Sequence, residues 1–418
     1  LKVDPMVLVD LAKKVNPVAV ISGTNGKTTT TNLVADCLQT AGVPLYCNRE
    51  GNNLQSGIVT SLMLAPDTSK VVDAASAAQA PVGCFECDEM YTKYVLPRLR
   101  PHYFMLLNLF RDQLDRFGEI DRIQATIAEA LAKTPETTFV FNGDDPLCAA
   151  IADRIPNKSL AFGIASDMGL SADRISDSRF CQKCGGALEY DYVHYGQLGA
   201  YRCPDCGWAR PELAFAATNV RLEEDGFVFD IDGRSVHTGH TGAYMVYNVL
   251  AAYAISKLSN IVPFENYQAA VREYHPTNGR LQTFDLGERK VMTNLAKNPT
   301  GFNQNIRIVL NERGRVLALF VNDNDADGHD VSWFWDIDFE RWSQIEGLRA
   351  FVGGTRANDM QVRLKYAGIQ AEIVENVADV LAATGVDDGK VYIIANYTAL
   401  PAVRRELEGL EAAAKGEE

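Results

Sequence analysis

The run Ile21-Ser22-Gly23-Thr24-Asn25-Gly26-Lys27-Thr28-Thr29-Thr30 restricts the possible fold more than any other stretch of this chain. Val18-Ala19-Val20-Ile21 precedes it and reads as a buried strand. Leu33, Val34, Cys37 and Leu38 then mark the apolar face of a helix over Thr30–Thr40. Between them G-T-N-G-K-T is a compressed G-x-x-x-x-G-K-[ST], the pattern of a phosphate-cradling loop. Strand, glycine loop and helix in that order predict an open α/β sheet with the loop at the carboxyl end of a strand. Gly23 and Gly26 let backbone N–H groups turn inward on phosphate oxygens, and the helix start adds partial positive charge. In this reading Lys27 reaches the outer phosphates and Thr28 holds Mg²⁺. A plain Gly-Lys turn would not require the flanking pattern.

The rest of the chain extends this plan. Val82–Glu86, Tyr103–Leu109 and Thr138–Asn142 are further strands, with a helix over Asp121–Lys133, as in a mostly parallel sheet covered on both faces. The polar residues gather after the strands: Glu86, Asn108 and Asn142-Gly143-Asp144-Asp145-Pro146. Residues 178–212 break the rhythm as an inserted module with a Tyr-rich strand pair around Tyr190–Tyr201. A strand at Val228–Ile231 and a helix opening near Ala243 resume it. Turn formers from Tyr274 to Arg280 mark a hinge. A second, smaller α/β domain follows, with strands near Lys290–Thr293, Val316–Val321, Arg349–Val352 and Val391–Ile394. The tail from Val403 reads as a charged helix, frayed over Ala412–Glu418. The expected domains are 1–273, carrying the 178–212 insertion, and 274–418.

Composition narrows the function. A length of 418 residues supports large cores, and no apolar run approaches a membrane span. The net charge of −14 disfavours broad nucleic-acid binding. Nine cysteines, an odd number, do not suggest a disulfide framework and favour a reducing, cytoplasmic setting. Cys181, Cys184, Cys203 and Cys206 follow C-x₂-C-x₁₈-C-x₂-C, each pair in a glycine knuckle. Four thiolates at that spacing suit tetrahedral Zn²⁺ in a closed structural site, where the metal stands in for a core that ~30 residues cannot supply. Cys84 and Cys87 lack a partner pair and read as small buried hydrophobes. Glu86, Asp88 and Glu89 end a strand, where a carboxylate can hold a second Mg²⁺.

Several motifs now stand in a recognisable order. They are G-T-N-G-K-T, the strand-end Glu86, N-L-x-x-D-x-L-D-x-x-G at Asn108–Gly118, N-x-D-D-P at Asn142–Pro146, Gly242–Asn248, Gly279-Arg280 and Lys297-Asn298-Pro299. This order resembles Mur ligases and folylpolyglutamate synthases, which phosphorylate a carboxylate with ATP and let an amine displace the phosphate. The resemblance covers nearly the whole chain. It implies that Gly23, Thr24, Asn25, Gly26, Lys27 and Thr28, with Thr29 and Asn108, bind ATP and Mg²⁺, and that Glu86 coordinates Mg²⁺. It also implies that Asn248 contacts the adenine and that Arg280, Asn294, Lys297 and Asn298 close over the nucleotide from the second domain. The departures are informative. Gln113 replaces a His, Tyr244 and Met245 replace the middle of a G-x-H-N-x-x-N segment, Asn294-Leu295-Ala296-Lys297-Asn298-Pro299 replaces D-Y-A-H-N-P, and Ala128 occupies the position of a carbamylated Lys.

With the cysteine module, these departures resemble the MurT branch, the ligase-like subunits that amidate the D-glutamate α-carboxylate of lipid II. That resemblance implies a class I glutaminase partner of the GatD type in a heterodimer, and work at the inner face of the membrane. It also implies that Asp330 in Asp330-Val331-Ser332-Trp333 completes the partner's Cys–His pair, while Glu86 and Lys27 serve phosphoryl transfer. Asn322–Asp336 opens like a calcium loop, but Phe334 occupies the twelfth position and helical flanks are missing, so calcium is rejected. Trp333 and Trp335 suit either an interface anchor or core packing. The chain shows no glycine-rich nucleophile elbow of its own, so ammonia must come from elsewhere. Two alternatives stand beside this reading. One is a stand-alone amino-acid ligase. The other is a zinc-ribbon NTPase on nucleic acid, which the offsetting of Lys183, Arg202 and Arg210 by Glu189, Asp191 and Asp205 disfavours.

Overall fold

The computed structural model describes residues 6–69, 71, 79–111, 120–174, 176–276 and 278–416. The motif residues Asp112–Gly118, including Gln113, and Thr277 of the hinge lie outside them. The chain divides into two compact units, whose described residues are 6–69, 71, 79–111, 120–172 and 176–274 in the first and 173–174, 275–276 and 278–416 in the second.

In the first unit, the strands β1 (Asn16–Ser22), β2 (Leu45–Cys47), β3 (Val82–Glu86), β4 (Tyr103–Leu106), β5 (Thr138–Asn142) and β6 (Ser159–Ile164) precede the cysteine module. That module holds the hairpin β7 (Glu189–Tyr195) and β8 (Leu198–Arg202), after which come β9 (Leu213–Leu222), β10 (Phe227–Ile231) and β11 (Arg234–His237). Nine strands make one sheet in the order β11-β10-β9-β6-β5-β4-β1-β3-β2. All neighbours from β2 to β9 are parallel, and β10 is antiparallel to both β9 and β11. β1 lies between β3 and β4, and Val18 to Ser22 are all buried, the continuous burial expected of a strand covered on both faces. The phosphate-loop motif, Glu86, Asn108 and Asn142 therefore emerge at one edge of the sheet, side by side, at the carboxyl ends of β1, β3, β4 and β5.

In the second unit the strands are β12 (Gln282–Asp285), β13 (Lys290–Leu295), β14 (Val316–Phe320), β15 (Arg349–Gly353), β16 (Ala371–Ile373) and β17 (Val391–Ala395). They form a sheet in the order β12-β13-β17-β14-β15-β16, parallel except for β12. Its core is built on Val316, Ala318, Phe351, Val391 and Ile393 against Val403 and Leu407 of the last helix.

Three expectations need correction. β4 stops at Leu106 rather than Leu109, because Leu107 bonds to Ser22 and the next residues turn to serve the loop after β1. The last helix runs Leu400–Lys415, into the stretch expected to fray, of which Glu417 and Glu418 lie outside the described residues. It is anchored there by Glu411, whose Oε1 accepts the Asp285 N–H at 2.7 Å and whose carboxylate pairs with Lys415 at 3.2 Å. Finally, the cysteine module does not lack a core. Cys181, Tyr201, Cys203 and Trp208 join the same apolar cluster as Phe139, Leu147 and Ile151 of the first unit.

Candidate active site

The loop after β1 needs its two glycines. Gly23 has φ 134° and Gly26 φ 88°, in the region L side chains avoid. A Cβ on Gly26 would also lie 2.5 Å from Asn248 Oδ1, and one on Gly23 3.0 Å from Leu107 Cβ. Gly26 precedes the helix Lys27–Thr40 and provides no side-chain cap, so the first-turn amides keep their donor character for an anion. Lys27 folds back along the loop: its Nζ donates to Gly23 O at 2.5 Å and to Glu89 Oε1 at 2.9 Å. Burial alone would lower the pKa of this ammonium. The carboxylates of Glu89, Glu86 and Asp88 outweigh burial and raise it above its ordinary value.

Beside the lysine, Thr28 Oγ1 donates to Glu86 Oε2 at 2.6 Å, and Asn53 Nδ2 donates to Glu86 Oε1 at 3.0 Å. Asn48 fixes the Glu86 backbone on both sides, accepting from its N–H at 2.8 Å and donating to its carbonyl at 2.9 Å. Gly51, with φ 80°, keeps the adjoining space clear: a Cβ there would sit 3.1 Å from Thr28 Oγ1 and 3.5 Å from Glu86 Oε2. A buried hydroxyl and a buried carboxylate beside such a cradle are the hard oxygen donors Mg²⁺ takes.

A second set of bonds clasps the loop from β4. Asn108 Oδ1 accepts from Asn25 N at 2.9 Å and its Nδ2 donates to Asn25 O at 3.0 Å. Thr24 N donates to Asn108 O at 3.0 Å, Phe110 N donates to Thr24 Oγ1 at 2.9 Å, and that hydroxyl donates to Phe110 O at 3.2 Å. Asn248, from the helix Tyr244–Ser259, is buried under Gly26. Thr29 is buried in the first turn of the helix after the loop.

In the second unit, Asn294 and Asn298 are committed to local structure. Asn294 accepts from Leu281 N at 3.1 Å and donates to Asn305 at 2.8 Å, which brings the residue beside Arg280 to β13. Asn298 caps the helix Pro299–Asn311, accepting from Gly301 N at 2.8 Å. Arg280 and Lys297 are half-buried.

The four cysteines of the inserted module converge. Their Sγ atoms all lie within 4.8 Å of one another, with Cys181–Cys206 at 3.6 Å and Cys184–Cys203 at 3.5 Å. Tetrahedral Zn²⁺ with bonds of about 2.3 Å sets sulfur atoms about 3.8 Å apart, so the cluster fits the ion. It is the one metal-ligand cluster found among the described residues. Cys84 and Cys87 are buried, and burial pushes both thiols well above their ordinary range.

Asp330 stands exposed on the loop after β14, and its Oδ1 accepts the Ser332 N–H at 2.8 Å. Those bonds from Ser332 lower its pKa. The preceding acidic residues hold the loop rather than converge. Asp323 pairs with Arg356 at 2.8 Å and accepts from Thr355 at 2.7 Å, while Asp327 accepts the Thr398 N–H at 2.9 Å. The two tryptophans divide. Trp333 packs against Phe302 at 5.5 Å, whereas Trp335 is 48 % exposed beside the 74 % exposed Tyr366 at 5.4 Å.

The sequence grouped Glu89 with Glu86 and Asp88 as carboxylates able to hold Mg²⁺, without its pairing to Lys27, and Asn48, Gly51 and Asn53 were missed. The run Asn48-Arg49-Glu50-Gly51-Asn52-Asn53 follows β2 directly, and its position after a parallel strand was the available signal. Gln197 carried no local signal.

Comparison with known proteins agrees with this geometry. The family profile described as Mur ligase middle domain matches residues 21–256, and the one described as MurT ligase C-terminal matches residues 295–400. The chain is 32% identical over 411 residues to the lipid II isoglutaminyl synthase (glutamine-hydrolyzing) subunit MurT of Staphylococcus aureus, covering 97% of this chain and 90% of that one. It is 33% identical over 408 residues to the corresponding subunit of Streptococcus pneumoniae, covering 96% and 89%. In fold it is similar to a pseudomurein peptide ligase type C from Methanothermus fervidus (TM-score 0.69, 18% identity, 96% of this chain and 80% of that one). It is likewise similar to MurF ligase from Thermotoga maritima in complex with ADP (TM-score 0.64, 14% identity, 100% and 85%).

Proposed function

The chain belongs to the Mur ligase family, in its MurT branch, and from that premise we propose that it is the ATP-using subunit of a lipid II isoglutaminyl synthase. The reaction converts the D-glutamate α-carboxylate of the lipid II stem peptide to the amide. A carboxylate oxygen attacks the γ-phosphorus of ATP, the bond to ADP breaks, and an acyl phosphate forms. Ammonia then attacks the acyl carbon, phosphate leaves, and the nitrogen gives up a proton. The arrangement around Lys27, Thr28 and Glu86 is the observation that carries this reading.

The residues divide the work. The loop Gly23–Thr28, clasped by Asn108, presents backbone donors and Lys27 to the phosphates, where positive charge offsets the charge that grows on the transferred group. Thr28 and Glu86 are the residues that would hold Mg²⁺, which supplies Lewis-acid charge to the phosphate oxygens. Glu89 holds Lys27 until a phosphate competes for it. Asn248 supports the loop beneath Gly26.

Ammonia comes from a class I glutaminase partner of the GatD type. Asp330 orients the partner's histidine and stabilises its charged form across the interface. Trp335 and Tyr366 form the exposed aromatic patch on the same unit that such an interface would cover. The four-cysteine cluster takes Zn²⁺. The lipid-linked substrate is met at the inner face of the membrane; among the described residues no helix is long and apolar enough to cross one.

The test is reconstitution with ATP, Mg²⁺, lipid II and glutamine, with and without the glutaminase. Partner-dependent amidation is expected. Ligation of a free amino acid instead would select the stand-alone ligase, and absence of both would overturn the reading.

A further inference from the structure

The cysteine module reaches the phosphate loop through one buried side chain. Its hairpin has the cysteine cluster at one end, with Cys203 directly after β8, and the turn Gly196-Gln197 at the other. Gln197 is fully buried. Its Nε2 donates to Leu109 O at 2.7 Å and lies 3.3 Å from Asp145 Oδ1. Asp145 Oδ2 accepts the Leu109 N–H at 2.8 Å. Both backbone groups of Leu109 are therefore held, the N–H by Asp145 and the carbonyl by the module.

Leu109 is the residue between the two halves of the clasp. Asn108 on one side binds Asn25, and Phe110 on the other binds Thr24. The fit at the turn is close: a Cβ on Gly196 would lie 2.7 Å from Phe110 Cε1, and Tyr195 packs on the same ring at 6.0 Å. The module is joined a second time at Asp144, whose carbonyl accepts the Gly199 N–H at 3.0 Å and whose carboxylate pairs with Arg210 at 3.1 Å. A buried carbonyl that loses its donor costs more than an ordinary hydrogen bond, so the Leu109 segment has no neutral alternative to Gln197.

We propose that Gln197 is a positioning residue for the nucleotide site, through which the metal-bound order of the cysteine module sets the grip of the phosphate loop. The inference rests on the reading that this loop binds ATP and that the four cysteines take Zn²⁺. It makes the module part of the ATP site's rigid support rather than an appended fold.

The test uses the full chain loaded with zinc, and reads the Kd of a non-hydrolysable ATP analogue with Mg²⁺ by calorimetry, together with zinc content. Gln197→Leu keeps the volume and removes the donor; its Kd is expected to rise about tenfold at unchanged zinc content. In the assay with ammonia, KM for ATP should rise by a similar factor while kcat at saturating ATP stays within about twofold. Stripping zinc and restoring Mg²⁺ should weaken binding by a similar factor in the wild type, and by no more than about twofold further in the variant. Arg202→Ala, which removes only an exposed ion pair with Glu189, should leave the Kd unchanged. Gln197→Asn withdraws the donor by one methylene and is read in the same way if Gln197→Leu does not fold. Wild-type affinity in a folded Gln197 variant overturns the proposal, as does an equal zinc effect in both proteins or a weakened Arg202→Ala. A wild type that does not bind the analogue overturns the ATP reading and the coupling together, whereas normal wild-type binding with an unaffected variant overturns the coupling alone.

Discussion

Lys27 and Glu89 form a buried ion pair, Nζ to Oε1 at 2.9 Å, each side chain about one-tenth exposed. The lysine that serves the phosphates is thus neutralised within the protein by a residue 62 positions away. Replacing Lys27 by Met strands a buried carboxylate and should cost about 3 kcal/mol of stability as well as ATP use. The double variant Lys27→Met, Glu89→Gln should recover most of that stability and remain inactive, by denaturant melts and phosphate release. Recovery of activity in the double variant would show that Lys27 does not serve the phosphates. The pH sense follows from the raised lysine. Its folded pKa lies above the unfolded value of 10.5, so its contribution is fully present below about pH 10.5 and is lost only as pH rises through the folded value.

Asn108 holds Asn25 with a pair of bonds through one carboxamide. Asn108→Ala removes both and should raise KM for ATP about tenfold, with the fold retained by circular dichroism. Asn108→Asp keeps the acceptor for Asn25 N but sets a carboxylate oxygen against the Asn25 carbonyl beside the phosphates, so it should bind ATP no better than Asn108→Ala.

Asp330 is exposed and its Oδ1 accepts from Ser332 within its own turn, so changing it should spare the ligase half. Asp330→Asn should abolish glutamine-driven amidation while ammonia-driven amidation stays within about twofold. Unchanged glutamine use would exclude a shared catalytic group. Because the folded pKa is depressed, Asp330 stays ionised from neutral pH down through its ordinary value of 3.8, and the acid limb of the glutamine reaction should not track it.

Cys184 and Cys206 are exposed and Cys181 and Cys203 are buried within the core of the first unit. Metal analysis should find about one Zn²⁺ per chain. Cys184→Ser should lower that occupancy, and chelation should destabilise the first unit as a whole, since Tyr201 and Trp208 of the module pack in its core. A midpoint of unfolding that is unmoved by chelation would show that the metal does not support this core.

Much of the site could be read along the chain because each piece is local. A strand, two glycines, a lysine and a threonine within eleven residues specify a phosphate loop, and two knuckles specify four thiolates. Strand ends collected Glu86 and Asn108 because a parallel sheet sends its carboxyl ends to one edge. What stayed hidden depends on contacts across long separations. That Glu89 rather than solvent faces Lys27, that Trp335 rather than Trp333 turns outward, and that Gln197 holds Leu109 are set by packing, not by neighbours in sequence.

The sequence by itself therefore determined the chemistry available to this protein: phosphate donors, hard oxygen ligands, four soft sulfur ligands and an aspartate beside an aromatic segment. Only the tertiary structure decided how these are constrained. Local backbone rules specify a loop, but its stiffness comes from bonds that Asn108, Thr24 and Gln197 can make only once β1, β4 and the inserted hairpin have been brought together.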